Sequence, residues 1–487
     1  MPRMPIRPMA PRIHVLGPGG IGSLFAYFFH QHHVPFTLFQ RKAPPPTATL
    51  RANSGAADTN NKANPQLNYP PTTLKYMNLT SLETTTVEPQ AIDGLDWEPL
   101  FPIIDKELFR HDPVYNELSR SPIHHLLVTT KTYQTVEAIY RIRHRLRPWT
   151  TIVLMQNGMG VREEICKSMG WTDEKERPNF IQGIITHGAQ KMEDTIVHTG
   201  KGHVWLAPVV DIADPISSVS STNVSGSGTE YSGSMDRGST LPPINQLLGK
   251  PTDGSLFPIL TEPSKQVLAT PYSYAKPAPF SAPFTDAPFS TFYVPQSSSA
   301  ELQALRTRSL YEALSVFERL SEDMDLHILM PNHLLALQLS KLVVNACVNP
   351  VATLLEATNG ALLDSSDNVH QAVKDLLRES HTILSRSKEV QALDSNLREE
   401  FLSLEALTKT TERILRATRQ NRCSTLQDYL KGSKQCEIDY MNGFLIKMAE
   451  RDRSVGVSAE SVAPLNRMVT EKVKEKFAAP RVSTEPQ

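Results

Sequence analysis

The spacing of apolar residues changes character along the chain. Near the start, "IHVL" from Ile13 is a short apolar block with the length of a buried strand. A glycine turn follows, then an apolar helix from about Ile21, then a second strand in "PFTLF", which together make a compact βαβ unit. The pattern weakens from Ala43 to about Pro122, where prolines, threonines and asparagines predict a partly disordered insertion inside an α/β domain. Strand signals resume in "HLLVTTK", "TIVLMQNG", "FIQGIITHG" and "HVWLAPV", with a helix in "TYQTVEAIYRIRHRLRP" whose basic outer face reads as solvated surface.

A second break runs from about 211 to 300. Serine, proline and glycine dominate it, "APF" occurs three times, and a low-complexity insertion without a core of its own is expected. "LYEALSVFERLSEDMDLHIL" then predicts a helix and a short strand, and everything after Pro331 reads as helix. The expected plan is a lead over 1–12, an α/β domain over 13–330 interrupted at about 43–122 and 211–300, a helical domain over 331–480, and a tail over 481–487. Such a plan places a cleft between the two domains.

Composition narrows the chemistry. In 487 residues, 50 lysines and arginines balance 51 acids, which argues against a general nucleic-acid or acidic-membrane binder. No run of about 18 apolar residues occurs, so no membrane-spanning helix is expected. The four cysteines, Cys166, Cys347, Cys423 and Cys436, have neither metal-type spacing nor a disulfide framework, and no metal is expected. The start, "MPRMPIRPMAPR", has three arginines and no acid, but its prolines oppose an amphipathic presequence helix. A cytoplasmic protein is expected, with a mitochondrial one as the alternative.

Gly17, Gly19 and Gly22 form G-x-G-x-x-G between a strand and a helix, the arrangement that brings a pyrophosphate to a helix N-terminus. Gly20 and Ile21 fall in the same turn and are assigned to the cofactor with them. At the end of the second strand an NAD enzyme usually carries an acid, whereas this chain has Arg41 and Lys42, and its first acid is Asp58. Two cations there suit the extra phosphate of NADP. Later strand ends carry Lys131, Asn157, and Thr186 with His187; in an open parallel sheet, ligands gather at such ends. His187 taken alone reads as structural.

The stretch "KLVVNACVNP" repeats polar groups every four residues. Lys341, Asn345 and Asn349 drift by only about 40° per step around a helix and make one polar stripe on an otherwise apolar element. A lysine facing a cleft can donate a proton, and burial lowers its pKa toward the working range. Carboxamides can hold a hydroxyl or carboxylate without adding charge. Pro350 lacks an amide hydrogen, so a kink and free backbone groups near Asn349 are expected. Ser424 and Glu437 follow, the latter expected in the first turn of a helix with Ile438, Met441, Leu445 and Met448 inward.

Taken together, "VLGPGGIGSL", "VTTKTYQT", "VLMQNGMG", "THGAQ…VHTGKGHVWLAP", "KLVVNACVNPVATLLEATNGALL", "STLQD" and "EIDYMNGFL" resemble the ketopantoate reductases (2-dehydropantoate 2-reductases). The blocks cover roughly half of the chain, and the two insertions fall between them. The resemblance implies a Rossmann-type dinucleotide-binding domain followed by an all-α domain of the 6-phosphogluconate-dehydrogenase kind. It also implies NADPH as cofactor and reduction of 2-dehydropantoate to pantoate, on the route to pantothenate and coenzyme A. On the matching positions it implies Lys341 as the proton donor, with Glu437 as its acidic partner. Asn345, Asn349 and Ser424 would hold the substrate, Arg41 the 2′-phosphate, and Lys131, Gln134 and Asn157 would lie at the cofactor. Asn359 matches the family's "NG" without an assigned role, and the stretch between "STLQD" and "EID" is one residue longer than usual. A reductase of another branched 2-oxo acid and a non-catalytic NADPH-binding scaffold are the alternatives. Oligomeric state, monomer or dimer, and a protein partner for the insertions stay open.

Overall fold

The structure, a computed structural model, describes residues 11–40, 74–78, 84–87, 97–99, 122–173, 176–192, 195–209 and 299–480. Arg41 and Lys42, the lead up to residue 10, the tail from 481 and the second insertion lie outside them.

The first unit is β1 (Ile13–Leu16), α1 (Gly20–Gln31) and β2 (Phe36–Gln40). It is followed by β3 (Leu74–Asn78), β4 (Thr84–Val87), β5 (Trp97–Pro99), β6 (His125–Val128), α2 (Thr132–Ile142), β7 (Thr151–Leu154) and α3 (Val161–Met169). The α/β part closes with β8 (Asn179–Ile185), β9 (Gly188–Met192), β10 (Thr195–Gly200), β11 (Val204–Pro208), α4 (Ser299–Glu318) and β12 (Leu326–Ile328). β1, β6 and β7 are buried at every position, as strands covered on both faces must be.

Among the described residues, eight strands form one sheet in the order β12-β11-β8-β7-β6-β1-β2-β5. All neighbours are parallel except β11 and β8. One face packs on α1 and α4 through Phe25, Phe29, Leu314 and Phe317. The other packs on α2 and α3 through Ile139, Ile142, Ile165 and Met169. The strand order reverses between β1 and β6, so the crevice at their carboxyl ends is the switch point where such sheets bind ligands. There Thr129 donates its hydroxyl to Gly17 O at 2.6 Å and its amide to Leu16 O at 2.9 Å.

Within the stretch expected to be a partly disordered insertion, over 43–122, β3 and β4 join β10 and β9 in a second sheet of order β4-β3-β10-β9. β3 pairs with β10 in parallel, and β5 adds to the main sheet beside β2. The second sheet lies on α1, where Tyr76 stacks on Tyr27 with ring centroids 4.0 Å apart. Pairing across more than a hundred residues of sequence leaves no local signature, which is why the Thr- and Asn-rich stretch conceals strands.

The helical part is built on α5 (Pro331–Leu354), α6 (Asp367–Arg386), α7 (Leu404–Ala417), α8 (Ser424–Leu430), α9 (Asn442–Arg451) and α10 (Pro464–Ala478). α5 is long and apolar enough to cross a bilayer by length and composition. Yet 67% of its most apolar window is buried inside this domain, as befits a central bundle helix. The helix continues through Pro350 to Leu354. The carbonyl that Pro350 cannot serve is that of Ala346, and Asn442 Nδ2 reaches it at 2.8 Å. Glu437 opens a short 3-10 turn rather than an α-helix, and a break at Met441 separates that turn from α9. Ile438, Met441, Leu445 and Met448 are all buried, as their spacing implies.

Candidate active site

Lys341 leaves α5 towards the carboxyl ends of β7 and β8. Its ammonium donates to Asn157 Oδ1 at 3.1 Å and to Ile185 O at 2.8 Å. Burial pushes its pKa down, nearby Glu437 partly offsets this, and the result is about 8. A small open cleft lies here, lined by Gln156, Asn157, Gly158, Lys341, Leu342 and Asn345 among others. Asn349 does not share it. Its side chain is buried against Met441, with Nδ2 donating to Sδ at 3.7 Å, and its carbonyl accepts from Cys423 Sγ at 3.6 Å. The eight residues from Lys341 to Asn349 add about 80° of rotation, enough to turn the second carboxamide off the cleft face.

Glu437 reaches across to the α/β part and not to its own helix. Its Oε1 accepts from the Thr132 amide at 3.0 Å and the Thr132 hydroxyl at 2.9 Å, capping the positive end of α2. Its Oε2 lies 4.0 Å from Lys131 Nζ. Lys131, the residue before α2, bonds to Asp428 at 2.7 Å. Burial draws the Lys131 pKa down, but Glu437 and Asp428 outweigh it and raise the pKa. Two lysines near Glu437 are thus shifted in opposite directions. The Thr132 hydroxyl also lies 2.8 Å from Asn157 O, its one hydrogen shared between that carbonyl and Glu437, so one residue links the acid to the loop holding Lys341. Gln134 belongs to the first turn of α2, its amide donating to Lys131 O at 2.8 Å.

Ser424 begins α8, half-buried, with Cys423 as the cap. Asp428 follows one turn later on the same face. The "STLQD" block therefore carried Asp428 at i+4, a signal passed over in reading Ser424 alone. Thr132, Gln156 and the Ile185 carbonyl were also missed; a main-chain acceptor leaves no trace in sequence. The Gln156 amide donates to Thr135 Oγ1 at 3.0 Å, and its Oε1 is buried with no hydrogen bond among the described residues. His187 turns away from the cleft: Nδ1 meets His198 Nε2 and Nε2 meets Met324 O, both at 2.9 Å, while Tyr76 OH meets His198 Nδ1 at 2.8 Å. One tautomer, Nε2–H on both rings, satisfies the whole row. Asn359 is likewise structural, donating to Thr418 Oγ1 at 2.8 Å.

The glycine turn fits an anion. Gly17 has φ +102°, and a Cβ there would meet Thr130 N at 2.5 Å; at Gly22 it would meet Gly17 O at 2.3 Å. At Gly19 a Cβ would meet nothing within 4 Å among the described residues, so the open face belongs to that residue. The first-turn amides of Gly20, Ile21 and Gly22 have no acceptor within the helix. Gly20 is glycine for another reason: β9 crosses it, and a Cβ would meet Ala189 O at 2.3 Å. From the same strand Lys191 Nζ lies 3.5 Å from Pro18 O, adding a cation beside the turn.

Residues 13–211 match the family model described as ketopantoate reductase PanE/ApbA, and residues 333–477 match that of its C-terminal domain. The chain belongs to the ketopantoate reductase family. It is an oxidoreductase of a family that uses a nicotinamide dinucleotide. It is 25% identical over 344 residues to the 2-dehydropantoate 2-reductase of Saccharomyces cerevisiae, covering 68% of this chain and 69% of that protein. It is 22% identical over 342 residues to the probable 2-dehydropantoate 2-reductase of Schizosaccharomyces pombe, covering 69% and 71%. The fold is shared with a PanE/ApbA family ketopantoate reductase from Ralstonia eutropha (TM-score 0.50, 12% identity, 96% and 98% of the two chains). It is shared equally with a D-mandelate dehydrogenase (TM-score 0.51, 14% identity, 96% and 98%).

Proposed function

We propose that this protein reduces 2-dehydropantoate to pantoate with NADPH, in the supply of pantothenate and coenzyme A. The observation that carries the reading is the Lys341 ammonium, held by Asn157 and Ile185 O at the wall of the cleft. The turn of Gly17, Gly19 and Gly22 and the first-turn amides of α1 would hold the cofactor, which would supply hydride for the ketone carbon. Charge then develops on the ketone oxygen, and the Lys341 ammonium neutralises it by giving up a proton. Asn157 Oδ1 and the Ile185 carbonyl accept two of the three ammonium hydrogens and leave the third for substrate. Asn345, one turn along α5, faces the same cleft and suits a substrate hydroxyl or carboxylate. Ser424, the remaining substrate-binding candidate, stands on the face of α8 that carries Asp428, the partner of Lys131. Glu437 keeps the α2 end and the Asn157 loop in register with Lys341, and its charge supports the ammonium.

NADPH is favoured over NADH by Arg41 and Lys42, two cations at the end of the second strand with no acid before Asp58. Two measurements test the reading. Among a panel of 2-oxo acids, 2-dehydropantoate is expected to give the highest kcat/KM; if phenylglyoxylate or another branched 2-oxo acid exceeds it, the substrate assignment falls. Arg41→Ala is expected to raise KM for NADPH by roughly tenfold or more while sparing NADH, the loss of one charge-assisted contact. An equal effect on both cofactors removes the 2′-phosphate assignment.

A further inference from the structure

At the same edge of the main sheet, away from the glycine turn, three other side chains converge. β11 and β12 begin side by side, with Val204 N donating to Asp325 O at 3.1 Å. The parallel register Val204↔Leu326 sets His203 opposite Asp325 just before the two strands begin, and His327 stands inside β12, opposite Trp205. His203 Nδ1 lies 2.6 Å from Asp325 Oδ2, and His327 Nε2 lies 2.7 Å from Asp325 Oδ1. One ligand atom from each residue falls within 4.8 Å of the others. We propose that His203, Asp325 and His327 form a binding site for a single divalent transition-metal ion of the zinc class.

The donor set selects the ion. Two imidazoles and one carboxylate suit zinc, cobalt or nickel, whereas calcium and magnesium seek oxygen ligands. Metal–ligand bonds of about 2.0–2.2 Å in tetrahedral geometry separate ligand atoms by roughly 3.4 Å, so the ion fits with shifts of about an ångström at most. The ligands are anchored before any ion arrives. His203 stacks on Trp205 with ring centroids 5.1 Å apart. Its backbone is paired with Thr186 at 3.0 Å (Thr186 N to His203 O) and 2.8 Å (His203 N to Thr186 Oγ1). Asp325 has φ +44°, uncommon for a residue with a side chain and often kept for a local purpose. The three side chains are partly exposed, at 46%, 40% and 39%, so an ion has a path in and room for water at the remaining positions. The ordinary alternative is a pair of histidine–aspartate hydrogen bonds joining two strand ends.

The site adjoins the cleft. Thr186, which pairs with His203, directly follows Ile185, whose carbonyl holds Lys341. An ion would pin the start of β11 to β12 just behind that carbonyl. The proposal does not depend on which ketone is reduced.

The test uses the full chain, stripped with a chelator and titrated with CoCl2 by visible absorption and with ZnCl2 by calorimetry. The wild type is expected to take one equivalent more than His203→Gln/His327→Gln, with the d–d bands of a four- or five-coordinate cobalt site. Asp325→Asn, nearly isosteric, is expected to weaken binding by roughly tenfold or more, and serves where the double variant fails to fold. Absence of saturable binding to the wild type overturns the proposal, as does undiminished binding by the variants.

Discussion

Two opposed forces act on the Lys341 ammonium. Burial favours the neutral amine, Glu437 favours the cation, and the balance leaves a pKa of about 8. A group with that pKa is mostly protonated at neutral pH and gives its proton up readily, the condition for a general acid. Turnover is therefore expected to fall as pH rises through about 8. Glu437→Gln removes the favourable charge, so the alkaline limb of the kcat/KM profile should move to lower pH; an unmoved limb would assign it to another group. Stability runs the other way. The folded pKa lies below that of an unfolded lysine, so the unfolded chain binds more protons between about 8 and about 10.4, and this group's contribution to stability rises with pH across that window. At this scale the four-residue spacing made Lys341 and Asn345 legible, since both line the cleft. It overreached at Asn349, because the helix rotates steadily while the cleft occupies one sector. Glu437 was visible as a residue at a helix start, but its partner, the Thr132 end of α2, is fixed only by the tertiary fold.

At the level of elements, α5 shows how a proline is absorbed. Pro350 leaves the Ala346 carbonyl without its helical donor, and Asn442 supplies one from α9. Asn442 also donates to Asn466 Oδ1 at 2.9 Å, and Asn466 in turn donates to Glu379 Oε1 at 2.8 Å, so three helices share the repair. Asn442→Ala is expected to lower stability by about 1–3 kcal/mol, the cost of a buried carbonyl left bare. Replacing Pro350 by Ala in the same background restores the helical donor and should recover part of that loss. Urea unfolding of the two single variants and the double variant gives the coupling; strict additivity would mean the two residues do not serve one carbonyl. The sequence showed that a proline would free a backbone group there, but not which side chain would answer it. The second sheet was illegible for a related reason. β3 and β10 find each other only when folded, whereas β1, β6 and β7 announce themselves as continuous apolar blocks.

For the molecule as a whole, the site depends on two domains meeting in one register. Met159 N donates to Tyr440 O at 2.9 Å, and Tyr440 OH donates to Glu164 at 2.8 Å. Gly158 permits the approach: its φ is +81°, and a Cβ there would meet Tyr440 O at 2.6 Å. Gly158→Ala is expected to cost about 1–3 kcal/mol by strain alone and to lower kcat by displacing Asn157 from Lys341. Thermal unfolding and steady-state rates measure the two effects, and wild-type values for both would show the contact to be dispensable. The two-domain plan itself was readable, because strand blocks gave way to helical spacing after Pro331 and the glycine turn marked the cofactor end.

The most direct trial of the Lys341 mechanism is NADPH oxidation with 2-dehydropantoate by wild type and Lys341→Ala, alongside a fluorescence titration of NADPH binding to each. A fall in kcat of roughly 10²–10⁴-fold with cofactor affinity nearly unchanged is expected for the loss of a general acid. A variant that turns over within a few-fold of wild type is incompatible with Lys341 as the proton donor.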